Sequence, residues 1–224
     1  MLTMLNPKAA NMQIGSGGIP RYTPADIAIC LGMIDHELGA AILCYIHAPD
    51  MAAVQSPSLE DRLRILMQTE RDRRVREEQK ARMDLHIARE NYSAMSRRDI
   101  THASQLNRLK SIHREAKSRL WPEREDAQDA YALIRRVILC DLRRRHVCES
   151  CSGMRNVIIN GEVAECAKCK GSGYSRRSYY QVAKIIGRSR STFSKCWRGV
   201  YDFTYRAVNA AQLEAERQFR KVTS

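Results

Sequence analysis

Along most of this chain apolar residues recur at three- and four-residue steps, the period of helices packed on one side. Ile27, Leu31, Ile34, Leu38, Ile42 and Tyr45 form the first such stripe. Thr23-Pro24-Ala25-Asp26 supplies its start, with threonine as N-cap, proline at the first helical position and an acid in the first turn. Pro49-Asp50 ends it. Cys30 and Cys44 flank the stripe as small core residues, and His36 has no partner pattern. Before it, residues 1–22 carry Gly15-Ser-Gly-Gly-Ile-Pro20 and no periodicity, which predicts a flexible lead-in.

The region 58–122 reads differently. Ser58-Leu-Glu-Asp61 caps a helix whose ridge Leu59, Leu63, Leu66 continues as Glu70, Arg73, Glu77, so no coiled-coil seam is sustained. From Glu70 to Arg82 both charges mix at helical spacing, as on an exposed helix held by i,i+4 pairs. Leu106, Leu109, Ile112, Ala116 and Leu120 make a further stripe ended by Trp121-Pro122. These helices form either a hairpin or a projecting arm. A core helix follows within 123–147, with an acidic start and Arg143-Arg144-Arg145 at its end. Its inner face is Ala127, Ala130, Tyr131, Ile134, Val137 and Ile138.

The pattern then changes period. Arg155–Ile159 and Glu162–Glu165 flank Asn160-Gly161, the residue pair that tolerates positive φ at both positions of a tight hairpin turn. The hairpin separates two cysteine pairs, Cys148-Glu-Ser-Cys151 and Cys166-Ala-Lys-Cys169, spaced C-x2-C-x14-C-x2-C. That is the spacing of a four-thiolate structural zinc site, with Cys148, Cys151, Cys166 and Cys169 as ligands of one ion. Gly153 and Gly171 each lie two residues past a pair, where the backbone must turn around the metal. The competing readings are two disulfides or four unrelated core cysteines. Four thiolates leave no open position for water, so the site is expected to be structural and the chain not an enzyme. No Walker loop, nucleophile elbow or HExxH is present, and the six histidines are scattered.

Beyond residue 175 helical periodicity resumes. Tyr179–Ile186, Gly187 and Arg190–Arg198 have the pattern of a helix-turn-helix, with Ser189 as N-cap of the second helix. Val182, Ala183 and Ile186 are its expected inner residues on the first helix, and Phe193, Cys196 and Trp197 on the second. Ser189, Arg190, Ser191, Ser194, Lys195 and Arg198 are expected outside, with Arg188 in the turn. That partition suits a helix in the major groove of double-stranded DNA. Arg176 and Arg177 are expected on phosphates. A last helix over Asp202–Val222 would pack Phe203, Ala207, Ala210, Leu213 and Phe219 inward and set Glu214, Glu216 and Arg217 outside.

Composition strengthens this reading. Lys+Arg 38 against Asp+Glu 25 gives a net charge of +13. From Asp141 to Arg206 there are 14 Lys/Arg against 5 Asp/Glu, so most of the surplus surrounds the cysteines and the segment after them. The N-terminus lacks the basic and apolar regions of a signal peptide, and Ile27–Ile46 is broken by Asp35-His36-Glu37. A soluble, intracellular protein is expected, with no membrane partner, no small-molecule substrate and reduced thiols. The fold class that emerges is mostly α. It comprises a helical body, a long charged helical region, a zinc-binding β-hairpin over 148–175 and a C-terminal helix-turn-helix within 176–224. Residues 23–57 hold the first helix and its linker.

Taken together, Cys148-x2-Cys151-x-Gly153, Cys166-Ala-Lys-Cys169-Lys-Gly171-Ser-Gly173-Tyr174-Ser175-Arg176, the helix-turn-helix and then Tyr201-Asp202 resemble the late-gene transcription antitermination proteins Q of lambda-like bacteriophages. The resemblance covers about Cys148 to Arg206. It implies a protein that binds DNA within a phage late promoter, engages the paused host RNA polymerase and makes it read through terminators. The four cysteines would hold zinc and the helix Arg190–Arg198 would lie on DNA, in the nucleoid of the bacterial cytoplasm. Two departures stand out. Met154-Arg155 occupies the place of a second knuckle glycine, and the charged region 58–120 is longer than that family suggests. A DNA-binding regulator without antitermination activity fits the same residues. A co-chaperone knuckle fits less well, because the J-domain family strings four knuckles and carries His-Pro-Asp, absent here.

Overall fold

A computed structural model describes residues 29–47, 57–94, 100–123, 127–143, 146–159, 161–171 and 173–223. The helices are α1 (Glu37–His47), α2 (Leu59–Ala94), α3 (Ile100–Ser118), α4 (Ala127–Arg143), α5 (Tyr179–Ile185) and α6 (Arg190–Thr192). α6 runs through a π-helical turn, Phe193–Trp197, directly into α7 (Arg198–Thr223). Among the described residues there are also four short strands: β1 (His146–Val147), β2 (Asn156–Ile159), β3 (Glu162–Glu165) and β4 (Tyr174–Ser175). They form two antiparallel pairs, β1–β4 and β2–β3. The chain is therefore mostly helical with a small antiparallel hairpin. The expected lead-in, the start at Thr23 and the end at Pro49-Asp50 lie outside the described residues.

The helix expected to begin at Asp202 is instead one rod with the helix before it. On an α-helix, successive four-residue steps overshoot the face by about 40° each. The π-helical turn takes up that drift, so that Phe193, Trp197 and Tyr201 are all buried. The buried stripe then continues through Thr204, Val208, Ala211, Ala215 and Phe219. This register differs from the one read in sequence: Ala210 and Leu213 are exposed, and Glu216 is buried. Counting outward from Phe203 misplaced the face, because the turn that sets it lies upstream. Aromatic rings join this rod to its neighbours. Tyr131 on α4 meets Trp197 at 5.2 Å, and Trp121 meets Phe203 at 5.5 Å, both edge to face.

α1 crosses α7 at Gly39. A Cβ there would lie 2.4 Å from the Ala211 carbonyl oxygen and 2.6 Å from Ala215 Cβ, so only glycine permits the approach. The first apolar stripe is not one helix. A turn at residues 33–36 separates a short helical segment at 29–32 from α1. His36 caps the new start: its Nδ1 accepts from the Gly39 amide at 3.1 Å. Leu31, before that break, and Ile34, within it, still bury against Leu43, Ala215 and Phe219.

α2 is about 54 Å long at 1.5 Å per residue. Ser58 caps it, its Oγ accepting from Asp61 N at 3.2 Å and donating to Asp61 Oδ2 at 2.7 Å. Its first three turns bury Leu59, Leu63 and Met67 in the body. α3 then folds back on its outer half as an antiparallel hairpin, with His113 Nε2 3.0 Å from Glu78 Oε1 and Arg74 Nη1 donating to the Arg119 carbonyl at 2.8 Å. Glu70, read as exposed, is buried between Arg73 and Arg74, whose hydrogen bonds lower its pKa against the cost of burial. On α3 the inward positions are Leu106, Leu109, His113 and Ala116; Ile112 and Leu120 of the expected stripe are exposed.

Candidate metal centre and adjoining basic helix

Between β1 and β4 the two cysteine pairs fold as matching knuckles. After each second cysteine the backbone enters the left-handed region: Ser152 (φ 47°) and Gly153 (82°) in the first, Lys170 (49°) and Gly171 (70°) in the second. Non-glycine residues avoid that region, and its repetition at both knuckles turns the chain around a common centre. Met154 N donates to Cys151 O at 2.8 Å and Lys170 N to Cys166 O at 2.7 Å, closing the two turns. The hairpin β2–β3 brings the knuckles together, in a register that ends at Ile159↔Glu162, with Gly161 at φ 84°. β1 pairing with β4 (Val147↔Tyr174) clamps the open end, a strand pair too short to be read in the sequence.

The four sulfurs lie within 4.8 Å of one another, and all four cysteines are buried. Cys148 Sγ is 3.9 Å from Cys166 Sγ, and Cys151 Sγ is 3.7 Å from Cys169 Sγ. A tetrahedral ion with metal–sulfur bonds of about 2.3 Å has an edge of about 3.8 Å. A disulfide needs about 2.05 Å. The cluster therefore has the dimensions of a four-thiolate metal site, and the thiols are unbridged. Its backbone favours thiolate: Gly173 N donates to Cys169 Sγ at 3.3 Å. At Cys166, hydrogen bonds from the Cys169 and Lys168 amides hold the pKa down to about 7, whereas burial pushes Cys169 up to about 11.

The knuckles part company at the fourth residue after the second cysteine. Gly173 ends the second at φ 78°, 2.9 Å from the Gly153 carbonyl oxygen if it carried a Cβ. Arg155 holds the equivalent place in the first at φ 71°. Its carbonyl accepts from Cys166 N at 2.9 Å, and its Nη2 meets Glu216 Oε2 on α7 at 2.6 Å. Glu216 is 3% exposed and also accepts from Gln212 at 2.5 Å. The missing glycine thus marks an anchor between the cysteine module and the long helix.

Next along the chain, α5 opens on a capping box in which Ser178 Oγ accepts from Gln181 N and Gln181 Oε1 from Ser178 N. It ends in a Schellman turn: Gly187 N bonds Lys184 O, Arg188 N bonds Ala183 O, and Gly187 takes φ 68°. Ser189 then caps α6, accepting from Thr192 N at 3.1 Å. Val182, Ala183, Ile186, Phe193 and Trp197 are buried under this corner. Cys196, read as inward, is exposed, because the π-helical turn rotates it out.

The residues singled out as cationic or hydroxylic divide into two sets. Ser189, Arg190, Ser191, Ser194 and Lys195 are exposed, and Arg190 and Lys195 form no ion pair among the described residues. Arg198 is exposed but leans inward, 4.7 Å over the Tyr179 ring and 3.4 Å from Asp202. Arg188 is half-buried beside the turn. Arg176 and Arg177 have internal partners. Arg176 Nη2 binds Asp202 Oδ1 at 2.5 Å, and its guanidinium stacks among Tyr179, Tyr201 and Tyr205. Arg177 pairs with Asp141 on α4. These two arginines fasten the metal module to the helices, a role that spacing alone did not reveal. No helix among the described residues is long and apolar enough to cross a membrane. No protein-family model, curated protein or solved structure matches this chain.

Proposed function

We propose that this chain is a zinc-containing, double-stranded-DNA-binding transcription factor in which α5 and α6 act as a helix-turn-helix. Cys148, Cys151, Cys166 and Cys169 would hold one structural Zn2+, whose contribution is folding energy for a hairpin too small to have a core of its own. The observation that carries the reading is the exposed, unpaired face of α6 and the π-helical turn after it, where Arg190 and Lys195 stand among Ser191 and Ser194. Short hydroxyls and cations at the N-terminal end of a helix are what phosphates and base edges accept. The resemblance to phage Q proteins favours antitermination, with host RNA polymerase as second partner, over a regulator that only binds DNA.

Transcription in vitro separates the two. On a template carrying the late promoter next to the chain's own coding sequence and a downstream terminator, the protein should raise read-through. Arg190→Ala or zinc chelation should abolish the effect. Binding to the promoter without read-through would leave the conventional regulator; neither effect would overturn the reading.

A further inference from the structure

Away from the metal centre, α2 and α4 face each other across an unusual seam. Arg64, Gln68 and Arg71 follow one another at i, i+4, i+7 on α2, and Gln128, Tyr131 and Arg135 at i, i+3, i+7 on α4. Those spacings place three polar side chains on one face of each helix. Together with Met67 they line a cavity of 210 Å³. Three guanidiniums thus converge on one space, and their acidic neighbours answer them poorly. Asp61 stands 3.6 Å from Arg64 and Glu60 3.7 Å from Arg135, both beyond hydrogen-bond length. The Nε–H groups of Arg71 and Arg135 are buried without an acceptor. Burial also lowers the pKa of Arg135, against the opposing pull of Glu60 and Asp61.

The lining Arg64, Gln68 and Gln128 are exposed and Arg71 and Arg135 half-buried, so the cavity opens to solvent. Planar guanidinium forks match the oxygens of phosphate, and the two glutamines add neutral donors around it. Size narrows the class. Pockets that enclose a whole small molecule run to about 300–1,000 Å³, so this one takes one or two phosphate groups and leaves anything attached to them outside. We propose that the α2–α4 pocket is a phosphate-binding site for a mono- or diphosphate group, free or carried by a nucleotide. This site shares no residue with the face assigned to DNA and stands whether or not that assignment holds.

Titration calorimetry of the full-length protein with inorganic pyrophosphate, at fixed ionic strength in chloride, tests it. One site per chain with Kd below about 1 mM is expected. Arg71→Gln, a half-buried position that leaves the core untouched, should weaken binding about ten- to a hundredfold, the effect of losing a hydrogen bond to a charged group. Arg64→Gln, more exposed, serves as the second variant, with circular dichroism confirming that both fold. Tighter binding of ADP than of pyrophosphate would identify a nucleotide as the source; equal binding would identify the free anion. Absence of heat with wild type, or unchanged affinity in both variants, would overturn the proposal. So would loss of duplex-DNA binding in Arg71→Gln alongside loss of pyrophosphate, since the arginine would then be a strand contact.

Discussion

The two cysteine knuckles run nearly the same backbone path with different residues at its last step. The second reaches its left-handed end with Gly173, which nothing else could occupy so close to Gly153. The first reaches it with Arg155, at a conformational cost of roughly 1–2 kcal/mol for a residue with a Cβ. That cost is offset by the ion pair with buried Glu216, so the asymmetric knuckle is the one that ties the metal module to α7. Because α6, the π-helical turn and α7 form one rod, the same helix that receives Arg155 also carries Arg190 and Lys195. A local irregularity in a metal motif becomes the joint between two parts of the protein.

The largest test of this comparison removes the centre that both knuckles share. Cys166→Ser should lose the metal and unfold the segment 146–175, because structural zinc contributes on the order of 10–16 kcal/mol to such motifs, more than most domains hold in total. Metal analysis and hydrogen exchange over that segment would show it; retention of one zinc per chain would contradict it. Arg155→Ala comes next. It strands Glu216 as a buried carboxylate with Gln212 as its remaining hydrogen-bond partner among the described residues, and should cost about 3–5 kcal/mol in urea unfolding. Gly173→Ala should cost about 2 kcal/mol, from its left-handed backbone and the contact with the Gly153 carbonyl. Smallest of all, the double change Arg155→Gly with Glu216→Gln makes the knuckles alike and removes both charges. It should lie within about 1 kcal/mol of wild type, and a loss as large as that of Arg155→Ala would mean that the arginine acts through something other than its charge.

Much of this arrangement could be read from the chain. The cysteine spacing, the two-residue hairpin turn, Gly187 and the caps at Ser58 and Ser189 are local signals, each fixed by the conformational needs of one or two residues. What escaped was set by distant neighbours. The register of α7 depends on a π-helical turn that leaves no mark in periodicity, so Glu216 was placed outside. Arg176 and Arg177 look like free cations until Asp202 and Asp141 are brought to them by the fold. Gly39 gives no sequence signal beyond being a glycine in a helix, yet it sets how closely α1 meets α7. The arginines of the α2–α4 pocket lie some 70 residues apart in two helices, and only their packing makes them one site.

The central claim, that the metal module and α6 together present a helix to duplex DNA, is tested most directly by fluorescence anisotropy on a promoter duplex across a range of salt. The zinc-loaded protein should lose affinity linearly on a log–log plot. Lys195→Ala should weaken binding by about 1–3 kcal/mol if it reaches a base edge, or flatten the slope by about 0.9 if it neutralises a phosphate. Chelation of zinc should remove specific binding altogether. Equal affinity and equal salt dependence for wild type, Lys195→Ala and the metal-free protein would contradict the account.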